Sequence, residues 1–132
     1  MSNSIDPTAI IDPKAKIAQS VTVGAYSIIG PNVIIGKNTV IHSHVIIDGY
    51  TKIGIDNQIY PFSVIGLNPQ HLKFSGEITE LIIGDNNIIR EHVTIHPGTL
   101  VGIKKTIIGN NGLFMVGCHV AHDCVVGNNV VF

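Results

Sequence analysis

Isoleucine or valine stands at every sixth position over the first half of the chain: Ile5, Ile11, Ile17, Val23, Ile29, Ile35, Ile41, Ile47, Ile53, Ile59 and Ile65. In a chain that is 45% hydrophobic, one residue class fills such a series without exception only if each site meets the same surroundings, as in six-residue units stacked on one another. The fifth position of the hexad is small or modest, as at Ala9, Ala15, Val21, Ser27, Val33, Thr39, Val45, Thr51 and Ser63. Residues two apart on a strand share a face, so the fifth residue and the next first residue point inward together while the sixth points out. An amphipathic helix would repeat at about 3.6 residues instead.

Each hexad therefore reads as a short strand followed by a corner. Three of them close a triangular coil, and coils stacked at roughly 4.8 Å make an all-β, single-stranded parallel β-helix filled with aliphatic ladders. Gly24, Gly30, Gly36, Gly54, Gly84 and Gly127, with Asn32, Asn38, Asn86 and Asn129, are the residue types expected to take left-handed or strained backbone at the corners. Handedness does not follow from the period, because the general rule for parallel crossovers favours right-handed connections.

The series goes on through Ile83, Ile89, Ile95 and Val101, then slips by one residue and resumes at Ile108, Phe114, Val120, Val126 and Phe132. Two stretches interrupt a single β-helix domain spanning 1–132. The segment of about 67–80 puts His71 and Glu77 where core residues are due, so it is expected to loop out of the coil, and Lys104 and Lys105 mark a shorter excursion at about 102–107. Loops leaving a rigid scaffold are common places for binding groups. Phe132 falls on an inward position just as another coil begins, so the chain is expected to be a fragment of a longer array.

Eight basic and nine acidic side chains leave no positive excess of the kind that nucleic-acid binding requires. No apolar run approaches the roughly 20 residues needed to span a bilayer, and the start, Met1 to Ala9, is polar and contains Pro7, so neither membrane insertion nor a secretory signal is expected. The default location is cytoplasmic. Cys118 and Cys124 both fall on fifth positions and read as small core residues, with no disulfide and no C-x-x-C metal pairing.

Six of the seven histidines, His42, His44, His92, His96, His119 and His122, avoid the inward first and fifth positions. His42 and His44 read as ordinary surface residues. His96, His119 and His122 lie in neighbouring coils, where stacking can gather imidazoles on one flank beside the first loop, an arrangement suited to proton transfer near neutral pH or to metal binding. Zinc-binding β-helix enzymes similar to gamma-class carbonic anhydrases use paired histidines, but the spacings here, four between His92 and His96 and three between His119 and His122, do not match theirs. No metal is expected.

The stretch from Gly112 to Gly127, with its core His119-Val120-Ala121-His122-Asp123-Cys124, resembles the active-site segment of the acyl-carrier-protein:UDP-N-acetylglucosamine O-acyltransferases, the family that opens lipid A synthesis. Ile89-Arg90-Glu91-His92-Val93-Thr94-Ile95-His96 and Asn68-Pro69-Gln70-His71-Leu72-Lys73-Phe74 are similar to two further stretches of that family. The resemblance runs the length of the chain and covers the N-terminal half or so of a usual member, without the C-terminal helical domain. It implies a left-handed parallel β-helix that works as a homotrimer with its sites between subunits. It implies that His122 is the general base, taking the proton of the sugar 3-hydroxyl as that oxygen attacks the thioester of a 3-hydroxyacyl carrier protein. An unperturbed imidazole pKa near 6.5 suits that task. Asp123 would orient His122, unless it is simply a corner residue, and Gln70, His71, Lys73, His96 and His119 would bind substrate. The implied partners are acyl carrier protein and UDP-N-acetylglucosamine. The 4′-phosphopantetheine arrives on the carrier, so the enzyme itself needs no cofactor.

Several positions depart from the family pattern. His71 replaces a usual Asp implicated in holding the glucosamine ring, which raises the alternative of an acceptor with an amine at position 3. Pro97 replaces a commonly basic residue, and the usual glycine triplet near Gly102 is missing. An inert structural remnant or interaction module is the alternative from another class. Coenzyme A-dependent acetyltransferases on the same fold are closer competitors, against which the loop from Pro69 to Phe74 speaks.

Overall fold

Because only the sixth and first residues of a hexad are extended before the chain turns, most strands are two residues long. The computed structural model describes residues 3–132, leaving Met1 and Ser2 of the polar start outside, and its eighteen strands form three six-stranded parallel sheets. Successive strands pass from the first face to the second to the third and back. The first face comprises Ser4–Ile5, Thr22–Val23, Val40–Ile41, Gln58–Ile59, Ile88–Ile89 and Leu113–Phe114. The second runs from Ile10–Ile11 to His119–Val120, and the third from Lys16–Ile17 to Val125–Val126.

The inward ladders are the aliphatic series of the sequence. Ile29, Ile35, Ile41, Ile47, Ile53, Ile59, Ile65, Ile89 and Ile95 are 0–1% exposed, while Ile5 in the first coil is 43% exposed because nothing described stacks below it. Each buried Ile contributes on the order of 1.5–3 kcal/mol relative to exposure. At the other end Phe132 lies against Phe114, ring centroids 5.2 Å apart. Cys118 and Cys124 are free thiols, half-buried against the aliphatic core.

Both interruptions lie where the second face hands over to the third. Ile65 and Ile83 are eighteen residues apart but one step apart around the coil, so the first loop contains two surplus hexads, which is why the sixfold series survives it in sequence. The loop leaves at Gly66, whose φ of +86° and whose approach to the Asp48 carbonyl, 2.1 Å from where a Cβ would stand, admit only glycine. The second loop holds seven surplus residues, hence the one-residue slip: Ile95 and Ile108 also stand one step apart. Val101, expected to point inward, is instead 63% exposed in a turn, and the inward sites are taken by Thr106 and Ile108. The turn occupies 100–104 and Lys105–Ile108 is already strand, so this excursion begins and ends earlier than the 102–107 expected from the lysine pair.

The corners also differ from expectation. Where a regular corner takes left-handed backbone, it falls on the fourth residue of the hexad and is not confined to Asn: Tyr26, His44, Phe62 and His92 have φ of 58–67°, as do Asn38, Asn86 and Asn129. Apart from Gly66 at the start of the first loop, the glycines of the second position are not left-handed. Gly24, Gly36, Gly54 and Gly84 are small because the next coil passes so near that a Cβ would stand 2.6 Å from its backbone. Asn32 is not among the left-handed residues either.

Bulky residues in that conformation cost about 1–2 kcal/mol each, and here they stack. Tyr26, His44, Phe62 and His92 form a column along the corner between first and second faces, with centroid spacings of 5.2, 5.2 and 5.3 Å. Beside it His42 stacks on Tyr60 at 4.5 Å and the Arg90 guanidinium covers the other ring face at 4.4 Å. His42 and His44, expected as ordinary surface residues, are thus members of these two stacks.

A polar ladder runs inside the first face. The Asn57 side-chain amide donates to the Gly84 carbonyl (2.9 Å) and accepts from the Asn87 amide N–H (2.9 Å). Asn87 repeats the pattern one coil on, donating to the Gly109 carbonyl (2.9 Å) and accepting from the Gly112 N–H (2.8 Å). Both are at most 1% exposed, and stacking at fixed register is what satisfies them.

Candidate active site

The corner between the second and third faces, where both loops emerge, gathers the chemistry. His96 follows strand Thr94–Ile95, His119 points outward from the next strand of the same face, and His122 and Asp123 form the corner after it. The first loop bends over this flank. Its Gln70 side-chain nitrogen reaches His119 Nε2 at 3.4 Å, and its His71 ring meets the His122 ring edge-on, centroids 5.0 Å apart. His96 and His119 are likewise edge-on at 4.8 Å. The structure therefore brings Gln70, His71, His96, His119, His122 and Asp123 together. His92 belongs elsewhere, in the aromatic column on another corner.

Hydrogen bonds surround several ring nitrogens. His119 Nδ1 lies 2.8 Å from Thr94 Oγ1, and its Nε2 lies 3.4 Å from the Gln70 side-chain amide. His71 Nδ1 accepts from the Lys73 amide N–H at 3.1 Å, which aims its Nε2 away from the loop backbone. His122 Nδ1 lies 2.7 Å from Asp123 Oδ2, and no hydrogen bond to its Nε2 occurs among the described residues.

Charge follows from these surroundings. Burial, followed by the neighbouring His119 and His122 rings, holds His96 below the usual imidazole range, so it is neutral near pH 7, and its buried Nδ1 has no partner among the described residues. Burial alone would push the Asp123 carboxyl up. Hydrogen bonds from the hydroxyl and amide of Thr99 and from His122 outweigh it, and the net direction is down. Asp123 is thus an acceptor-only carboxylate. The Cys118 thiol is pushed up by burial, which keeps it a poor nucleophile.

Lys73 projects from the first loop and lines a cleft of about 190 Å³ between the two loops, with His71, Phe74, Glu77, Thr99 and Leu100. A larger concavity, about 310 Å³, lies against Lys14, Lys16, Asn32, Ile34 and Tyr50 on the third face and contains no imidazole. We place the chemistry at the histidine corner, because among the described residues only there do a base candidate and its carboxylate partner meet. Among the described residues, no group of three or more His, Cys, Asp or Glu is arranged to hold a metal ion, and no helix is long and apolar enough to cross a membrane. Thr99, which the sequence analysis did not single out, binds Asp123 twice, and a lone Thr in a loop carries no sequence signal for that.

Residues 14–49 match the family model described as bacterial transferase hexapeptide (six repeats). A solved UDP-N-acetylglucosamine O-acyltransferase from Moraxella catarrhalis RH4 superposes with a TM-score of 0.94 at 56% identity, over 96% of this chain and 49% of that one. The UDP-N-acetylglucosamine acyltransferase of Francisella novicida gives 0.94 at 41% identity, over 96% and 46%. An acyl-[acyl-carrier-protein]–UDP-N-acetylglucosamine O-acyltransferase of Helicobacter pylori (strain Shi470) is 47% identical over 84 residues, 64% of this chain and 31% of the relative. Repeat and three-sheet prism are those of the left-handed parallel β-helix fold, and the chain is similar to the hexapeptide-repeat transferases. Over almost its whole length the chain is similar to the UDP-N-acetylglucosamine O-acyltransferases, and it spans about half the length of their solved chains.

Proposed function

We propose that this chain supplies the proton-transfer centre of an acyltransferase that moves a 3-hydroxyacyl group from acyl carrier protein to the 3-position of UDP-N-acetylglucosamine. The observation that carries this reading is the His122–Asp123 pair, in which a carboxylate takes Nδ1 and leaves Nε2 open beside a loop bearing Gln70, His71 and Lys73. The names of the similar proteins support the choice of donor and acceptor.

In this scheme Nε2 of neutral His122 removes the proton of the sugar hydroxyl as its oxygen attacks the thioester carbonyl. The tetrahedral intermediate collapses with cleavage of the C–S bond, and the imidazolium returns its proton to the departing thiolate of the carrier's 4′-phosphopantetheine arm. Asp123 keeps the ring oriented and balances its transient charge, a role worth large factors in other catalytic histidines. Lys73 offers a cation to the substrate from the loop, and neutral His96 with His119 lines the acceptor side. No metal or dissociable cofactor takes part. The working form is a cytoplasmic homotrimer, with a neighbouring copy closing the site.

The test is acyl transfer in the intact protein that contains this chain, with 3-hydroxyacyl carrier protein as donor and UDP-N-acetylglucosamine as acceptor, and acetyl-coenzyme A as the competing donor. Turnover from the carrier alone supports the reading. Turnover from coenzyme A alone rejects it, and no turnover from either favours an inert β-helix.

His71 favours a second reading of the acceptor. Its ring stands edge-on to His122, where the family resemblance places a carboxylate for the glucosamine ring, so the site has exchanged an anion for a donor–acceptor group that suits a 3-amino sugar.

A further inference from the structure

We infer that Thr99 is a positioning residue for this reaction, holding the Asp123 carboxylate so that His122 is kept in its Nδ1–H tautomer. The inference rests on the reading of His122 as general base. Thr99 is 1% exposed and sits at the root of the second loop. Its amide N–H donates to Asp123 Oδ1 at 2.8 Å, and its hydroxyl lies 2.5 Å from Oδ2.

The direction of the hydroxyl proton is determined. Thr99 Oγ1 accepts the Gly102 N–H at 3.2 Å, and an ionised carboxylate has no proton to give, so the one hydroxyl hydrogen points at Asp123 Oδ2. The same logic applies to the ring on the other side of Oδ2. His122 Nδ1, 2.7 Å away, must carry its hydrogen there, which leaves Nε2 with the lone pair that a base needs. Both carboxylate oxygens are thereby engaged, and the carboxyl plane cannot turn away from the imidazole without breaking a bond to Thr99.

The second loop is shaped around this contact. A Cβ at Gly102 would stand 2.2 Å from Asp123 Cγ, so only glycine lets the loop close over the carboxylate. The corner itself does not depend on the Thr99 hydroxyl, because the Asp123 N–H donates to Thr106 Oγ1 (3.0 Å) and the loop is closed by the Lys104 N–H on the Thr99 carbonyl (3.0 Å). Removing the hydroxyl therefore takes away the Oδ2 bond alone, leaving the carboxylate held by the Thr99 N–H on Oδ1 and its backbone in place.

Thr99→Val removes the hydroxyl at constant shape, Thr99→Ala removes it without risk of overpacking, and Thr99→Ser retains it. In the intact protein, kcat and KM for acyl transfer are measured for each, together with the ring-nitrogen NMR shifts of His122 in the free protein. The expected result for Val or Ala is a loss of about tenfold in kcat, the size of one hydrogen bond to a charged group. KM should be unchanged, and part of the His122 signal should move to the Nε2–H tautomer. Ser should restore both. Wild-type kcat with a wild-type tautomer in the Val and Ala variants, a change in KM alone, or no rescue by Ser would overturn the inference. Should the unsubstituted protein transfer no acyl group, the functional reading fails. The ring-nitrogen shifts then decide Thr99 by themselves, an unchanged tautomer overturning its role and a redistributed one sustaining it.

Discussion

His122 Nδ1 and Asp123 Oδ2 are 2.7 Å apart although the two residues are sequence neighbours, which ordinarily point apart. The contact is made by the left-handed backbone of Asp123, φ +62°, which turns its side chain back onto the preceding ring. The structure thus gives the Asp a corner conformation and a contact with the base candidate at once, so the two alternatives for this residue are compatible. Asp123→Asn keeps the shape and the corner but replaces an oxygen acceptor with an amide that has lost its charge. The expected outcome is a fall in kcat of about 10²-fold or more with little change in KM, read from steady-state acyl transfer.

Asn87 carries a prediction for stability. Its side chain satisfies two buried backbone groups, the Gly109 carbonyl and the Gly112 N–H, in adjacent turns of the prism. Asn87→Ala leaves both without partners and should cost about 2–4 kcal/mol, seen as a lower urea midpoint with an unchanged slope. Asn87→Asp keeps the acceptor but sets a buried carboxylate oxygen against the Gly109 carbonyl oxygen, and at neutral pH it should destabilise at least as much as Ala.

The same residues show why some of the structure was legible in the sequence and some was not. Ile29 or Ile59 announces itself because each coil offers an aliphatic side chain the same slot, so period alone reveals it. The bonds of the Asn57–Asn87 ladder have no such signature: both residues fall on inward fifth positions, but what they bond to depends on register across a loop. Val101 misled for a related reason, since a surplus of seven residues nearly imitates one hexad. At the site, the outward placement of His96, His119 and His122 followed from position in the hexad, whereas Thr99 became visible only when the second loop folded over Asp123.

His96 predicts how stability responds to acid. Its folded pKa lies below the unfolded value of 6.5, so the unfolded chain binds the extra proton first. Its neutral form costs nothing at higher pH, and stability is lost as pH falls below about 6.5 and down through the folded pKa. Thermal midpoints measured between pH 8 and pH 5 should decline more steeply for the natural protein than for His96→Gln, which cannot titrate. Asp123 acts in the same sense at lower pH: its depressed pKa gives stability above the unfolded value of 3.8 that is lost as pH falls through the folded value.

The acceptor question turns on His71, which lies edge-on to the base candidate with its Nδ1 held by the Lys73 amide. Initial rates with the 3-hydroxy and 3-amino nucleotide sugars, compared in the natural protein and in His71→Asp, test it. If the amine is the acceptor, the natural protein prefers the amino sugar and His71→Asp shifts the ratio towards the hydroxyl sugar. A natural preference for the hydroxyl sugar that His71→Asp leaves alone removes this second reading.

The account as a whole depends on an imidazole displayed outward at residue 122 with one nitrogen open to substrate. The most direct measurement is the single-turnover rate of acyl transfer from the carrier to the nucleotide sugar, in the intact protein and in His122→Ala, with thermal midpoints recorded alongside. The account predicts a loss of about 10²–10⁴-fold at an unchanged midpoint. A variant that folds equally well and turns over at the natural rate would contradict it.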